Sequence, residues 1–203
     1  MSSIEAVILA AGQSMRMGSP KALLPLGATT FLGRLIAEYQ RLALPLWVVL
    51  GRGWQAIEKD QPVPAGSLLV NPEPEKGPLS SFRIALARLD PEASGVMLHP
   101  VDHPLVRRST IEALVRLHDD EPEQILVPSI HGRGGHPTLF PARVFDELRD
   151  GLLEDGARSI VLADPDRVTE FETDDPGILR NIDTPEDYDR WVLDTASGGS
   201  NGA

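Results

Sequence analysis

Along the chain, short apolar runs alternate with segments whose apolar positions recur every three or four residues. The first run, I-E-A-V-I-L-A at 4–10, is apolar except for Glu5 and reads as a strand buried on both faces. Pro25 and Gly27 mark a turn, and Thr29 or Thr30 is placed to cap a helix reaching about residue 43, with Leu32, Leu35, Ile36, Tyr39 and Leu42 on one side. Further strands are predicted at 46–50, 68–70, 96–98 and about 124–127. Between them lie an amphipathic piece at 54–60 and a helix at 81–89 that buries Phe82, Leu86 and Leu89. Another helix opens on S-T-I-E at 109–112, a capping-box spacing, and buries Ile111, Leu114, Val115 and His118. Such alternation predicts an α/β domain around a mostly parallel sheet with right-handed crossovers.

Beyond residue 130 the pattern changes. H-G-R-G-G-H-P-T-L-F at 131–140 has the glycine content of a small β-hairpin or of an exposed loop over the sheet. Short helical pieces follow at 141–149 and 157–163, then strand-like V-T-E-F-E at 168–172 and I-L-R-N-I at 178–182. The last helix starts with Thr184 as its cap, Pro185 in the first position and Asp187 completing a box. No repeat or linker divides the chain, so one domain at 1–194 is expected, with T-A-S-G-G-S-N-G-A at 195–203 as a flexible tail.

The length of 203 residues suits one such domain. A formal net charge of −11 argues against a nucleic-acid backbone or an anionic membrane as partner, since both ask for clustered Lys and Arg. The chain has no cysteine, which removes disulfides, thiolate zinc sites and a cysteine nucleophile. The first apolar run is too short to span a bilayer, carries Glu5 and lacks a basic leader, so a cytoplasmic location is expected.

In this acidic chain the loop after the first strand stands out. It carries Gly12 and Gly18, and its cations Arg16 and Lys21 are the only ones before Arg34. A loop of this kind can bring backbone N–H groups close to phosphate oxygens. It is neither a Walker loop, because five residues separate the glycines and Ser19-Pro20 precedes Lys21, nor a G-x-G-x-x-G fingerprint. An ordinary glycine-containing turn is the alternative. Ligands of parallel sheets bind beyond the carboxyl ends of the strands, so this loop, Asn71 and Asp102 should converge.

Asp102 reads either as a turn residue or as a hard oxygen ligand for Mg²⁺ beside a triphosphate. Asp183 presents the same choice, although Thr184 already serves as the helix cap. His99 and His103 flank Asp102; they suggest zinc weakly, and a substrate-contacting role for His103 better. His136 is placed either to meet an anionic acceptor or on a surface loop. Ser80 and Ser81 read as helix caps or as hydroxyl donors to a nucleotide. Two carboxylates for a metal and two cations for phosphate, with no evident general base, suit a nucleophile that is already ionised. A phosphate attacking the α-phosphorus of a nucleotide is such a case, with positioning and charge neutralisation carrying catalysis. Lys21 and Arg16 are then expected to face Asp102 across a gap as wide as a nucleotide's phosphates.

These residues also carry a resemblance. L-A-A-G-Q-S-M-R-M-G-S-P-K at 9–21 resembles the signature loop of the MobA-like nucleotidyltransferases, and of their molybdenum cofactor cytidylyltransferase branch in particular. N-P-E-P-E-K-G-P-L-S-S-F, P-V-D-H-P-L-V, G-R-G-G-H-P-T-L-F, D-G-A-R and N-I-D-T-P-E-D resemble later motifs of that family in the same order. The resemblance implies a single-domain, Rossmann-like three-layer α/β/α nucleotidyltransferase fold. It implies that Leu9, Ala10, Ala11 and Gly12 line the nucleotide, with Asn71 and Ser80 or Ser81 completing the pocket. It implies Arg16 and Lys21 on the phosphates, and Mg²⁺ on Asp102 and Asp183. His103 and His136 fall beside the acceptor, which the family suggests is molybdopterin, with a molybdoenzyme as partner.

The second loop reads G-P-L-S-S-F where cytidylyltransferases usually have a Met-Ser-Ser-Ser run, and His103 stands where Gln or Met is usual. Ala11 replaces the glycine common in guanylyltransferases, and its methyl group should favour CTP over GTP. A sugar or polyol phosphate as acceptor, or a non-catalytic nucleotide-binding regulatory module, are the other readings.

Overall fold

The structure, a computed structural model, describes residues 3–12 and 17–193; Arg16 and the 195–203 tail lie outside the described residues. The first half of the chain forms β1 (Ile4–Ala10), β2 (Pro25–Leu26), β3 (Thr29–Thr30), α1 (Phe31–Arg41), β4 (Leu46–Leu50), α2 (Trp54–Asp60), β5 (Leu68–Val70), α3 (Pro78–Leu86) and β6 (Gly95–Pro100). The second half forms α4 (Arg108–Asp120), β7 (Ile125–Ile130), β8 (Arg133–Gly134), β9 (Thr138–Pro141), α5 (Phe145–Asp150), α6 (Arg158–Ala163), β10 (Val168–Glu172) and α7 (Pro185–Tyr188).

The main sheet runs β10-β7-β9-β6-β1-β4-β5, with β8 on the flank of β7. β1 pairs parallel with β4 and β6, β4 with β5, and β7 with β10. Side chains alternate across β1: Ala6, Ile8 and Ala10 face α1 and α4, meeting Leu35, Tyr39, Ile111 and Leu114. Val7 faces the opposite layer, with Phe82 and Leu86 of α3 and Phe145 and Leu148 of α5. Each buried Val, Leu, Ile or Phe side chain among these contributes about 1.5–3 kcal/mol. Helices on both faces of a mostly parallel sheet give a three-layer α/β/α domain. Glu5, the polar exception in β1, is buried but satisfied: its carboxylate accepts from the Trp47 indole and from the Asp90 backbone N–H, both at 2.6 Å. No helix among the described residues is long and apolar enough to cross a membrane.

Several elements differ from the sequence expectation. Residues 131–140 are only in part a hairpin. His131 (φ 50°) and Gly132 (φ 71°) make the two-residue turn between β7 and β8, as the twist of a hairpin requires. The chain then re-enters the sheet as β9, buried throughout and antiparallel to both β6 and β7. Residues 178–182 are not a strand. Asp175 accepts from the Gly177 N–H, Pro176 follows, and Pro176–Leu179 winds into a 3-10 turn; Ile178 and Ile182 are apolar because they are buried, not because they pair.

The capping box at 109–112 does not form, because α4 starts at Arg108, two residues before a helix capped by Ser109 would. Its amino end is served from a distance by Asp175, whose carboxylate accepts from Arg107 N and Thr110 Oγ1, each at 2.7 Å. α3 starts at Pro78 rather than at 81, so neither Ser80 nor Ser81 is its cap. At α1 the choice falls on Thr30, whose hydroxyl accepts from Gly33 N at 3.0 Å. The predicted box at Thr184 and Asp187 is present.

Candidate active site

The carboxyl ends of β1 and β6 open on a cavity of about 1140 Å³, large enough for a nucleotide and a second small molecule. Leu9, Ala10, Ala11 and Gly12 form one wall. β6 stays paired to β1 past its last residue through Val101 N–H to Leu9 O, 3.0 Å, which carries Asp102 to the rim beside that wall.

Asp183 arrives from the other end of the chain. The Ile182 N–H donates to the Asp102 carbonyl at 2.9 Å, a single backbone bond that sets the two aspartates side by side. Asn181 Nδ2 holds Asp183 Oδ2 at 2.9 Å, and the Asp183 N–H donates to Asp187 at 3.1 Å. Lys21, carried on a 3-10 turn, places its ammonium 3.0 Å from Asp102 Oδ2 and in direct contact with Asp183 Oδ1. Its side chain is 13% exposed, against 23% for Asp102 and 30% for Asp183, so the three charges meet largely out of water. The lysine is therefore not across a phosphate-wide gap from Asp102, as the sequence suggested. Two adjacent carboxylates repel, and an ammonium between them is the arrangement that relieves it.

Asn71 follows β5 and is buried. Its Nδ2 donates to Ser80 Oγ and Ser81 Oγ, both at 2.9 Å, while Oδ1 accepts from Glu73 N at 2.8 Å. Asn71 thereby ties the 71–77 loop to the first turn of α3. Of these three polar residues, Ser81 reaches the cavity wall.

The histidines divide by partner. His99 is fully buried: Nδ1 lies 2.8 Å from the Tyr39 hydroxyl and Nε2 lies 3.0 Å from the His103 carbonyl. A carbonyl can only accept, so Nε2 carries the proton and Nδ1 accepts from Tyr39. Both nitrogens are occupied, which makes His99 a structural residue and removes it as a zinc ligand. Burial pushes its pKa down to about 3.

His103 and His136 both line the cavity, with ring centroids 4.8 Å apart, edge to face. Both Nδ1 atoms are buried and have no hydrogen-bond partner among the described residues. Burial lowers the His103 pKa against the opposing pull of Asp102, and takes His136 down to about 3. His136 is thus packed into the wall rather than carried on a surface loop; the exposed histidine of that hairpin is His131. His118 is buried in the core, as its helical position predicts.

Sequence reasoning missed Arg83. It lines the cavity and donates to the carbonyls of Leu148 (2.9 Å) and Gly151 (2.5 Å), fastening the loop after α5 to α3. A lone arginine on a helix carries no local signal of that role.

A family model describing the MobA-like NTP transferase domain matches residues 6–168. The chain belongs to the MobA-like NTP transferase family. Molybdenum cofactor guanylyltransferase of Sinorhizobium fredii is 30% identical to it, over 92% of this chain and 91% of that protein. Molybdenum cofactor cytidylyltransferase of Escherichia coli K12 is 26% identical, over 93% and 95%. Among solved structures, Rv0371c of Mycobacterium tuberculosis H37Rv superposes with a TM-score of 0.83 at 31% identity, over 95% of this chain and 99% of that one. The same mycobacterial protein has also been crystallised as a complex with manganese (TM-score 0.74, 27% identity, 95% and 99% covered). This MobA-like chain is a nucleotidyltransferase by family, and its molybdenum cofactor relatives include both guanylyl- and cytidylyltransferases.

Proposed function

We propose that this MobA-like protein transfers a nucleoside monophosphate, with CTP as preferred donor, to the terminal phosphate of a molybdopterin-type acceptor and releases pyrophosphate. The observation that carries the reading is the meeting of Lys21, Asp102 and Asp183 at the rim of a cavity walled by Leu9, Ala10, Ala11 and Gly12. A phosphate monoester is largely ionised at neutral pH and needs no base, so positioning and charge compensation suffice.

Two converging carboxylates form a hard-oxygen donor set that fits Mg²⁺. Mg²⁺ commonly keeps waters and phosphate oxygens as its other ligands, so two protein carboxylates are enough for it. Bound there, Mg²⁺ supplies charge neutralisation at the reacting phosphates. Lys21, with Arg16 from the same loop, holds phosphate oxygens. Ser81 contributes a hydroxyl to the nucleotide, and Asn71 with Ser80 fixes its position. His103 and His136, kept neutral by burial, line the acceptor side.

The methyl of Ala11 narrows the base pocket and disfavours a purine, a discrimination worth about 1–3 kcal/mol. The names of the molybdenum cofactor relatives support a molybdopterin-type acceptor; a molybdoenzyme as recipient of the product is proposed along with it.

Pyrophosphate release is to be measured with CTP, GTP, UTP and ATP against molybdopterin, and against sugar and polyol phosphates. The expected result is turnover with molybdopterin, roughly ten-fold or more in favour of CTP over GTP. A preference for GTP overturns the role of Ala11, turnover only on a sugar or polyol phosphate overturns the acceptor, and nucleotide binding with no turnover makes the protein a regulatory module. Asp102→Ala should lower kcat by roughly 10²-fold or more with the fold intact; near-normal release from that variant refutes its role.

A further inference from the structure

We infer that Lys21 is the resting counter-ion of the Asp102–Asp183 pair, and that a divalent cation takes its place only as nucleotide phosphates draw the lysine away, so that metal and nucleotide load together. The inference rests on the nucleotidyl-transfer reading of the site and adds an order of events to it.

Three features support it. The first is the shared position. The Lys21 ammonium touches one oxygen of each aspartate, so an ion ligated by the same two oxygens competes for the same point. Two cations so close repel strongly, above all where side chains are largely withdrawn from water. The second is which partner can move. Asp102 is anchored by the backbone bonds Val101–Leu9 and Ile182–Asp102, and Asp183 by Asn181 and Asp187. Lys21 has a fixed backbone, with Leu24 N–H donating to its carbonyl at 3.1 Å, but a flexible four-carbon stem.

The third is where the lysine can go. The same cavity is bounded by the Leu9, Ala10, Ala11 and Gly12 segment, against which a polyphosphate would lie. A nucleotide that takes the ammonium withdraws it from Asp102 Oδ2 and Asp183 Oδ1 together. Linkage then requires that nucleotide raise the affinity for metal and metal raise the affinity for nucleotide by the same factor.

The test is Mn²⁺ binding to the full chain without nucleotide, followed by electron paramagnetic resonance, for wild type, Lys21→Met and Lys21→Gln, with thermal melts to establish folding. Lys76→Met, which removes an exposed cation lining the same cavity, controls for the general change of charge. Both Lys21 variants should bind Mn²⁺ at least ten-fold more tightly than wild type, Lys76→Met should stay within two-fold, and adding Asp102→Asn to Lys21→Met should abolish the gain. Unchanged Mn²⁺ affinity in both Lys21 variants, or an equal gain in Lys76→Met, overturns the inference. Wild-type pyrophosphate release, assayed in parallel, separates the two readings. Turnover with no gain in the Lys21 variants sinks only the counter-ion role, whereas a ten-fold gain with no turnover on any nucleotide sinks only the transfer reading.

Discussion

The carboxylate of Asp175, 1% exposed, accepts hydrogen bonds from Arg107 N, Thr110 Oγ1 and Gly177 N. One side chain therefore braces the entry to α4, starts the 3-10 turn at Pro176 and fixes the segment that delivers Asp183 to the cavity. Asp175→Ala leaves those donors unmatched and should lower unfolding free energy by about 2–4 kcal/mol. Urea melts decide it, and a loss under about 0.5 kcal/mol refutes the assignment. The contrast with Thr184 and Asp187 is instructive. Their box joins residues three apart and was legible in the sequence, whereas Asp175 and Arg107 are 68 residues apart and no local spacing announces them. His99 is similar: its neighbours in sequence suggest a metal, while Tyr39, 60 residues away, decides that it is structural.

At the scale of elements, α3 depends on how the chain enters it. Gly77 has φ 90° and ψ 173°, a conformation open in practice only to glycine, and Pro78 takes the first helical position. The turn before α3 and the Asn71 network together aim Ser81 at the cavity. Gly77→Ala should therefore destabilise the protein by about 1–3 kcal/mol and raise KM for nucleotide more than it lowers kcat. An unchanged KM refutes the link between this turn and the nucleotide. Element types were mostly readable because strand and helix periods differ. The failures have a common cause: β9 and the centre of the 176–179 turn, Gly177 and Ile178, are buried, and burial makes a segment apolar without saying which backbone it adopts.

At the scale of the whole molecule, buried titratable groups make the fold acid-sensitive. Burial takes His99 and His136 from 6.5 to about 3, and lowers His103 and His118 as well. Below 6.5 the unfolded chain binds protons that the folded one refuses. Stability is therefore complete above 6.5 and declines as pH falls from 6.5 toward 3. Two such imidazoles remove about 3 kcal/mol between pH 6.5 and 5, and Tm should drop by roughly 10 °C. Burial raises the Glu38 carboxyl, but Arg108, Arg34 and Arg41 outweigh it and hold it below 4.5, so its contribution is present above 4.5 and lost further into acid. A Tm that stays flat from pH 7.5 to 5 rules this out. What the sequence by itself determined was the α/β class, most elements and the family, because periodicity, caps and motif strings act over one turn or one strand. What only the tertiary structure decided was the site itself. Lys21 meets Asp102 and Asp183 across 81 and 162 residues, and that meeting depends on the β1–β6 register and on the backbone bond from Ile182 to Asp102, contacts that exist only once the chain is folded.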